Sequence, residues 1–486
     1  MHLKKINILF VCGLVLLSMT ACHQQDTITS TAQIRFSQDS VYFDTVFTSI
    51  GSSTQRIMLY NDSKHSVFIE SVSSKTPYFQ VNLDGESQIE LIKNYELPGK
   101  DSIFLFIRAC IDPLKQDNPV LIEDTLLFMI NSQAIGLPIQ AYGQDVILLK
   151  TKEGRTEFPY GYTFNAKKPY LIYDTVLVAG KMQIVPGATL YMHNNASIYA
   201  LGSVEAIGNK NAPITIRGDR LDQLFEQVPY KYASGQWGGL YFLHYKGEPA
   251  PTYLLNYVYL LSGNIGLYCS SEDKEQRGTL TMTNSKVHNH AMYGVVLQNT
   301  DAAISNCEIS NCAAYCVYLA GGTHTLTHNT IASFFGYPYT TINIHQVIRE
   351  DVAALYINNL SKQYAPTIAN IRNCIITGAR DNNIALATPL PTYYTGEIIG
   401  NYIKSDTIKA PNCRDNVYAQ ENDSAVFVNT HYLYKEYIYY DFHLDSLSPA
   451  RGIADSIISI SYPMDIDDIQ RKPHPDAGCY EYFNVN

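Results

Sequence analysis

The chain has 486 residues, 46% of them apolar and 16% charged, and its mean hydropathy is −0.11. This is the composition of a globular chain long enough for more than one domain; it excludes a disordered polymer and a bundle of membrane spans. A net charge of −10 with no compensating Lys/Arg patch excludes nucleic acid as the partner.

The opening stretch "MHLKKINILFVCGLVLLSMTAC" begins with Lys4 and Lys5, runs apolar from Ile6 to Leu17, and reaches Cys22 through small residues. The run is too short to span a bilayer, so it reads as a targeting segment that the mature protein lacks. "LSMTAC" resembles a bacterial lipoprotein signal. The resemblance implies a signal peptide over 1–21, lipidation of Cys22 and a polar tether over 22–31; an ordinary secretory signal with a chance cysteine is the alternative. With His23, and no Asp, after the lipidated cysteine, it implies the outer membrane and leaves the face open. The expected membrane partner is reached through that lipid alone. After Cys22 no apolar stretch approaches the roughly 20 residues needed to span.

Residues 32–146 alternate polar and apolar positions, with turn signals every eight to twelve residues. "AQIRFSQDSVYFDTVF", "STQRIMLYNDSKHSVFIESV", "DSIFLFIRACID" and "DTLLFMINSQAIGLPIQAYG" read as strands of an antiparallel sandwich. Their order, with "FDTV" and "GSS" opening and "IQAYG" closing, resembles immunoglobulin-like domains of the ASPM/SPD-2/hydin group. Nothing in this segment has the spacing of a catalytic set, so it reads as a spacer or adhesion-type sandwich.

The pattern over 147–486 is a repeat. "TNSKVHN", "SNCEISN", "HNTIAS", "RNCIITG" and "GNYIKS" align on Asn284, Asn306, Asn329, Asn373 and Asn401, at separations of 22, 23, 44 and 28. Reading 44 as two turns and 28 as one turn with an insertion gives a period near 22. "YGVVLQN", "YCVYLAG" and "NNIALAT" repeat at a matching offset. A parallel β-solenoid requires this: short strands in each coil, apolar residues stacked inward, and asparagines bonded from coil to coil at the bends. The expected fold is all-β, an immunoglobulin-like sandwich followed by a right-handed parallel β-helix.

The stretch 175–219 with "VPGATL" and "GSVEAIGNKNAPITI", the phrase "WGGLYF", and the closing "FHLDSLSPARGIAD" and "MDIDDIQRKPHPDAGCYEY" resemble pectin-lyase-like β-helix lipoproteins of Bacteroidota. Trp237, with Gly238 and Gly239, then reads as scaffold at a coil corner, and a ligand platform is the competing reading.

Enzymes on this fold cleave acidic polysaccharides. Asn299-Thr300-Asp301 matches the first motif of polygalacturonases, but the motifs that family needs next are missing, and Asp301 reads as a corner residue. Across 279–345 only Lys286, Asp301 and Glu308 carry charge, which is a meagre cleft. No catalytic residue is assigned. His288 and His290, two apart on a strand, would share one face, and His324 and His328 recur in "THTLTH", but no third ligand accompanies them; no metal or cofactor is assigned. Cys307, Cys312 and Cys316 read as buried thiols because no second cysteine pair matches them.

Aromatic density is the stronger lead. Tyr337 and Tyr339, Tyr393 and Tyr394, and Tyr434 and Tyr437 lie in segments that interrupt the repeat, where tyrosine can stack on sugar rings or simply pack. Three functions fit: a non-catalytic surface lipoprotein that binds glycan or another envelope component through its β-helix, a polysaccharide lyase or glycoside hydrolase, and a structural envelope component with a protein partner.

Overall fold

The computed structural model describes residues 33–83, 85, 94–225, 228–335, 352–360, 363–387, 396–408, 412–421, 423–430 and 440–483. The signal segment, Cys22 and the tether lie outside these residues. The chain divides into two compact units between Gln144 and Asp145.

The first unit is a sandwich of a four-stranded and a five-stranded sheet. Alternation puts Val41, Phe43, Leu59, Phe79, Val81, Leu105, Ile107 and Phe128 in one core between the sheets. All pairings are antiparallel except one: Val41–Phe47 runs parallel to Gln133–Gln144. Asn61 in "LYND" is buried, and its Nδ2 donates to the carbonyls of His65, Leu97 and Pro98, which pins the turn that follows.

The second unit is a parallel β-helix. Each coil adds one strand to each of three sheets, which reach 11, 9 and 10 strands; they are here called the first, second and third sheet, beginning at Ile147–Leu149, Arg155–Phe158 and Tyr162–Phe164. Side chains of period two send every other residue inward, and parallel register stacks like on like. Met282, Ile304, Leu326, Ile371 and Ile398 form one inward column. Leu260, Val287, Ile309, Ile331, Ile376 and Ile403 form another.

Register corrects two details of the repeat. The strand Gly322–Thr327 pairs directly with Thr367–Arg372, so the 44-residue interval is one coil enlarged by an insertion, not two coils. The five asparagines also belong to two different rows. Asn284, Asn306 and Asn373 sit at a bend with φ of 47°, 51° and 55°, in register with Tyr257, His328 and Gly400. Asn329 and Asn401 are the next residue along and point inward, in register with Ser285, Cys307 and Cys374. Asn tolerates the left-handed bend better than other non-glycine residues, and its amide can also satisfy buried backbone, so one residue type serves both rows.

The inward row is a hydrogen-bonded ladder. Asn329 Oδ1 accepts the Cys307 amide at 2.9 Å, Asn401 Oδ1 accepts that of Cys374 at 2.7 Å, and Asn416 Oδ1 accepts that of Asn401 at 3.1 Å. The bend row serves another purpose. A segment from Asp455 to Asp468, containing the short helix α1 (Ser456–Ser459), folds back along it as a strap. Asp455 bonds Asn373, Ser459 Oγ meets His328 Nε2 at 2.8 Å, Met464 O accepts from Asn306 at 2.9 Å, and Asp468 accepts from the Tyr257 hydroxyl at 3.1 Å. Residues 471–482 then cover the outer face of the first sheet, where Phe427, Phe442, Ala477, Cys479 and Tyr480 enclose Ala332, Ile375 and Tyr402.

Candidate functional site

Trp237 is fully buried in the solenoid core, its Nε1 donating to Leu261 O at 2.8 Å and its ring edge-on to His290. The glycines beside it permit close approach: a Cβ on Gly238 would lie 1.9 Å from Ser197 Oγ, and one on Gly239 3.0 Å from Ile265 O. Asp301 is held by Arg277 at 3.1 Å and by the Thr323 amide at 2.8 Å. His288 and His290 do not share a face. Asn289 adopts a φ of 64° and breaks the alternation, so His288 faces outward and His290 inward. His324 lies in the core and His328 on the bend row. Among the described residues no cluster of His, Cys, Asp and Glu could hold a metal, and the eight cysteines there are free thiols, Cys110 and Cys413 only half-buried. All six candidate stacking tyrosines, Tyr337, Tyr339, Tyr393, Tyr394, Tyr434 and Tyr437, lie outside the described residues.

One polar cluster lies beneath residues 471–482. Lys286 and Glu308 are neighbours in register on the outer face of the first sheet. The Tyr480 hydroxyl accepts from Lys286 Nζ at 2.8 Å and donates to Glu308 Oε2 at 2.6 Å. Ser310 donates to Glu308 Oε1 at 2.8 Å, which leaves His288 Nδ1 as the donor to Ser310 Oγ, also at 2.8 Å. Burial is the largest influence on both charges and opposes them, but their mutual attraction together with the neighbours outweighs it: with Asp467 nearby the Lys286 pKa is raised, and with His288 and the hydroxyls of Tyr480 and Ser310 that of Glu308 is lowered. Burial and Glu308 push the Tyr480 hydroxyl far above its ordinary value, so it is no base. At the rim, His443 bridges Asp441 at 2.6 Å and Asp467 at 2.8 Å, which raises its pKa to about 9. Each charge is answered from within the protein, and the cluster acts as a lock between the solenoid and the C-terminal residues that cover it.

The second sheet is different. Its strands from Thr175–Val178 to Ile384–Ala387 read TVLV, SIYA, GLYFLH, IGLYCSS, YGVVLQ, VYLA, LYIN and IALA, without one Asp, Glu, Lys or Arg. Register places Tyr199, Tyr241, Tyr268, Val296, Tyr318 and Tyr356 in one outward row. At strand spacing of about 4.8 Å its five steps span roughly 24 Å. Tyr199 and Tyr241 stack at 4.6 Å and 8°, and Tyr318 and Tyr356 at 5.3 Å and 15°. Tyr293 and Tyr315 widen the row, Tyr315 stacking on Tyr356 at 4.7 Å. Rings stacked along the solenoid axis occupy each other's faces and turn their edges and hydroxyls outward. Ser270, Gln298 and Asn358 flank them, Gln298 accepting from Tyr268 at 2.5 Å and Asn358 donating to Tyr318 at 3.0 Å. The row is not among the clustered tyrosines of the sequence: "GLYF", "GLYC", "CVYL" and "ALYI" each give it a single tyrosine from a different coil, and "GVVL" gives Val296.

The fold defines an all-β protein, an immunoglobulin-like sandwich followed by a parallel β-helix. The chain matches no protein-family model and no curated protein. Among solved structures it is similar to a Porphyromonas gingivalis W83 protein of unknown function, at 16% identity and TM-score 0.17, covering 24% of this chain and 49% of that one. A PapD-like domain of human CEP192 aligns at 15% identity and TM-score 0.17, covering 26% of this chain and 96% of that one. The periplasmic chaperone SfaE aligns at 15% identity and TM-score 0.16, over 25% and 61%.

Proposed function

We propose that this chain is a lipid-anchored envelope protein of the pectin-lyase-like type that binds glycan on the second sheet of its β-helix. The observation that carries the reading is the outward tyrosine row, an uncharged strip of ring edges, hydroxyls and amides. Tyrosine combines apolar area with a hydroxyl at its tip, and a sugar polymer offers C–H edges and hydroxyls in return. The signal-like segment and Cys22 support an outer-membrane address, with Cys22 as the lipid attachment. Glycan arrays and affinity electrophoresis test the reading on the wild-type chain and on a Tyr241→Ala/Tyr356→Ala variant of unchanged melting temperature. Retention that the variant loses is the expected result. Absence of retention on every glycan refutes the reading.

A further inference from the structure

The chemistry of the tyrosine row also limits which glycan it can take. We infer, resting on the glycan reading above, that the ligand is an uncharged polysaccharide lying along the solenoid axis.

Charge is the first argument. Recognition of a uronate or sulfate polymer uses Arg or Lys, because a desolvated anion needs a cation or several strong donors. Of the nine strands of this face only the first, Arg155–Phe158, is charged, and there Arg155 pairs with Glu157; the eight strands that follow contain neither Arg nor Lys, and the chain as a whole carries −10. A polyanion would meet a repulsive field with no local relief. The other two faces are built differently. The first sheet lies under residues 471–482 and carries Lys286 and Glu308. Ion pairs flank the third sheet, such as Lys181 with Glu205, Arg277 with Asp301 and Arg372 with Glu397.

Direction is the second argument. Within the pairs Tyr199–Tyr241 and Tyr318–Tyr356 the rings occupy one another's faces, and Tyr268 is tilted by 50° against Tyr241, so a sugar cannot lie flat on each ring in turn. What the row presents is a line of five hydroxyls along the axis, about 4.8 Å apart between adjacent coils and about twice that across Val296. Hydrogen bonds from those hydroxyls are satisfied together only by a chain that follows the same line. A chain crossing the sheet parallel to its strands would meet one or two tyrosines. Affinity should therefore grow with oligosaccharide length until the ligand spans Tyr199 to Tyr356, and then level off.

The full chain in detergent is run through native gels containing hydroxyethylcellulose, galactomannan or laminarin as neutral polymers, and polygalacturonate, alginate or chondroitin sulfate as acidic ones. Expected is retardation by at least one neutral polymer that persists from low to high salt, since screening weakens only charged contacts. Tyr241→Phe/Tyr356→Phe keeps the stacked rings and removes two hydroxyls; it should weaken retardation several-fold, and the double alanine variant should abolish it. Retardation only by acidic polymers, lost at high salt, overturns the uncharged-ligand inference and leaves the glycan reading standing. Retention by neutral polymers that survives both double variants overturns the placement on this row. No retention in any gel overturns the glycan reading itself. Oligosaccharides of graded length, titrated by calorimetry, test the direction: affinity independent of length beyond the shortest binder refutes an axial path.

Discussion

Asn329→Ala tests whether the inward polar ladder holds the coils in register. Asn329 is fully buried, with Oδ1 accepting the Cys307 amide at 2.9 Å and Nδ2 donating to Ile304 O at 2.8 Å. Alanine removes both bonds, so two backbone groups lose their partner inside the core. At about 1–3 kcal/mol for each buried group left unsatisfied, the loss is roughly 2–6 kcal/mol. Asn284→Ala is the control. Asn284 is half-buried at the bend and its Nδ2 meets Asn256 Oδ1 at 3.0 Å, so its loss, within reach of water, is about 1 kcal/mol including the left-handed backbone preference. Trp237 is the single tryptophan and lies in the solenoid core, so its fluorescence during guanidinium unfolding reports on the solenoid without a sandwich signal. An Asn329→Ala midpoint within about 0.5 kcal/mol of wild type, or no lower than that of Asn284→Ala, refutes the argument.

Three further outcomes are expected. Burial lowers the pKa of His324 from 6.5 to about 4, so the folded state resists its protonation and loses stability as pH falls from 6.5 through 4. His324→Leu removes that loss, roughly 3 kcal/mol, and should shift acid unfolding, followed by Trp237 emission, to lower pH. His443 has the opposite sign: its raised pKa makes its contribution complete below pH 6.5 and lost as pH rises through about 9. His443→Ala should therefore lower the melting temperature near pH 6 and leave it unchanged at about pH 10; an equal effect at both would show that His443 acts by packing alone. Cys22→Ser should abolish palmitate labelling and release the protein from the membrane fraction, because one acyl chain anchors only marginally and a diacylglycerol anchors stably. A variant that stays membrane-bound, beside an unlabelled wild type, refutes the lipid anchor.

The fold was legible because solenoids write each coil into the sequence as a local repeat. "TNSKVHN" and "SNCEISN" differ by one coil and carry the same inward and outward positions. Register was less legible. "HNTIAS" puts His where its neighbours have Asn, and alignment on the letter shifted the row by one residue, enough to exchange a bend position for an inward one. The large insertion before Thr367 mimicked a second coil by length alone. A closing segment was legible by resemblance in "FHLDSLSPARGIAD" and "MDIDDIQRKPHPDAGCYEY", but its path was not, since nothing local in Asp455–Asp468 announces that its partners lie on coils formed much earlier. The tyrosine row was hidden for a different reason: its members stand 22 to 42 residues apart and never cluster in the chain.

A solenoid built only of coils contacting their neighbours can fray from either end and regrow from any point. The strap changes that. Asp468 meets Tyr257 across 211 residues and Tyr480, just beyond the strap, meets Lys286 across 194, so with Asn306, His328 and Asn373 five coils are tied to residues synthesised long after them. Until those residues arrive, Ala332, Ile375 and Tyr402 present an open apolar surface beside exposed parallel strand edges, the kind of intermediate on which chains associate wrongly. The strap thus ties a locally assembling filament to a folding event of high contact order, and the gain in cooperativity comes with a window of vulnerability during folding.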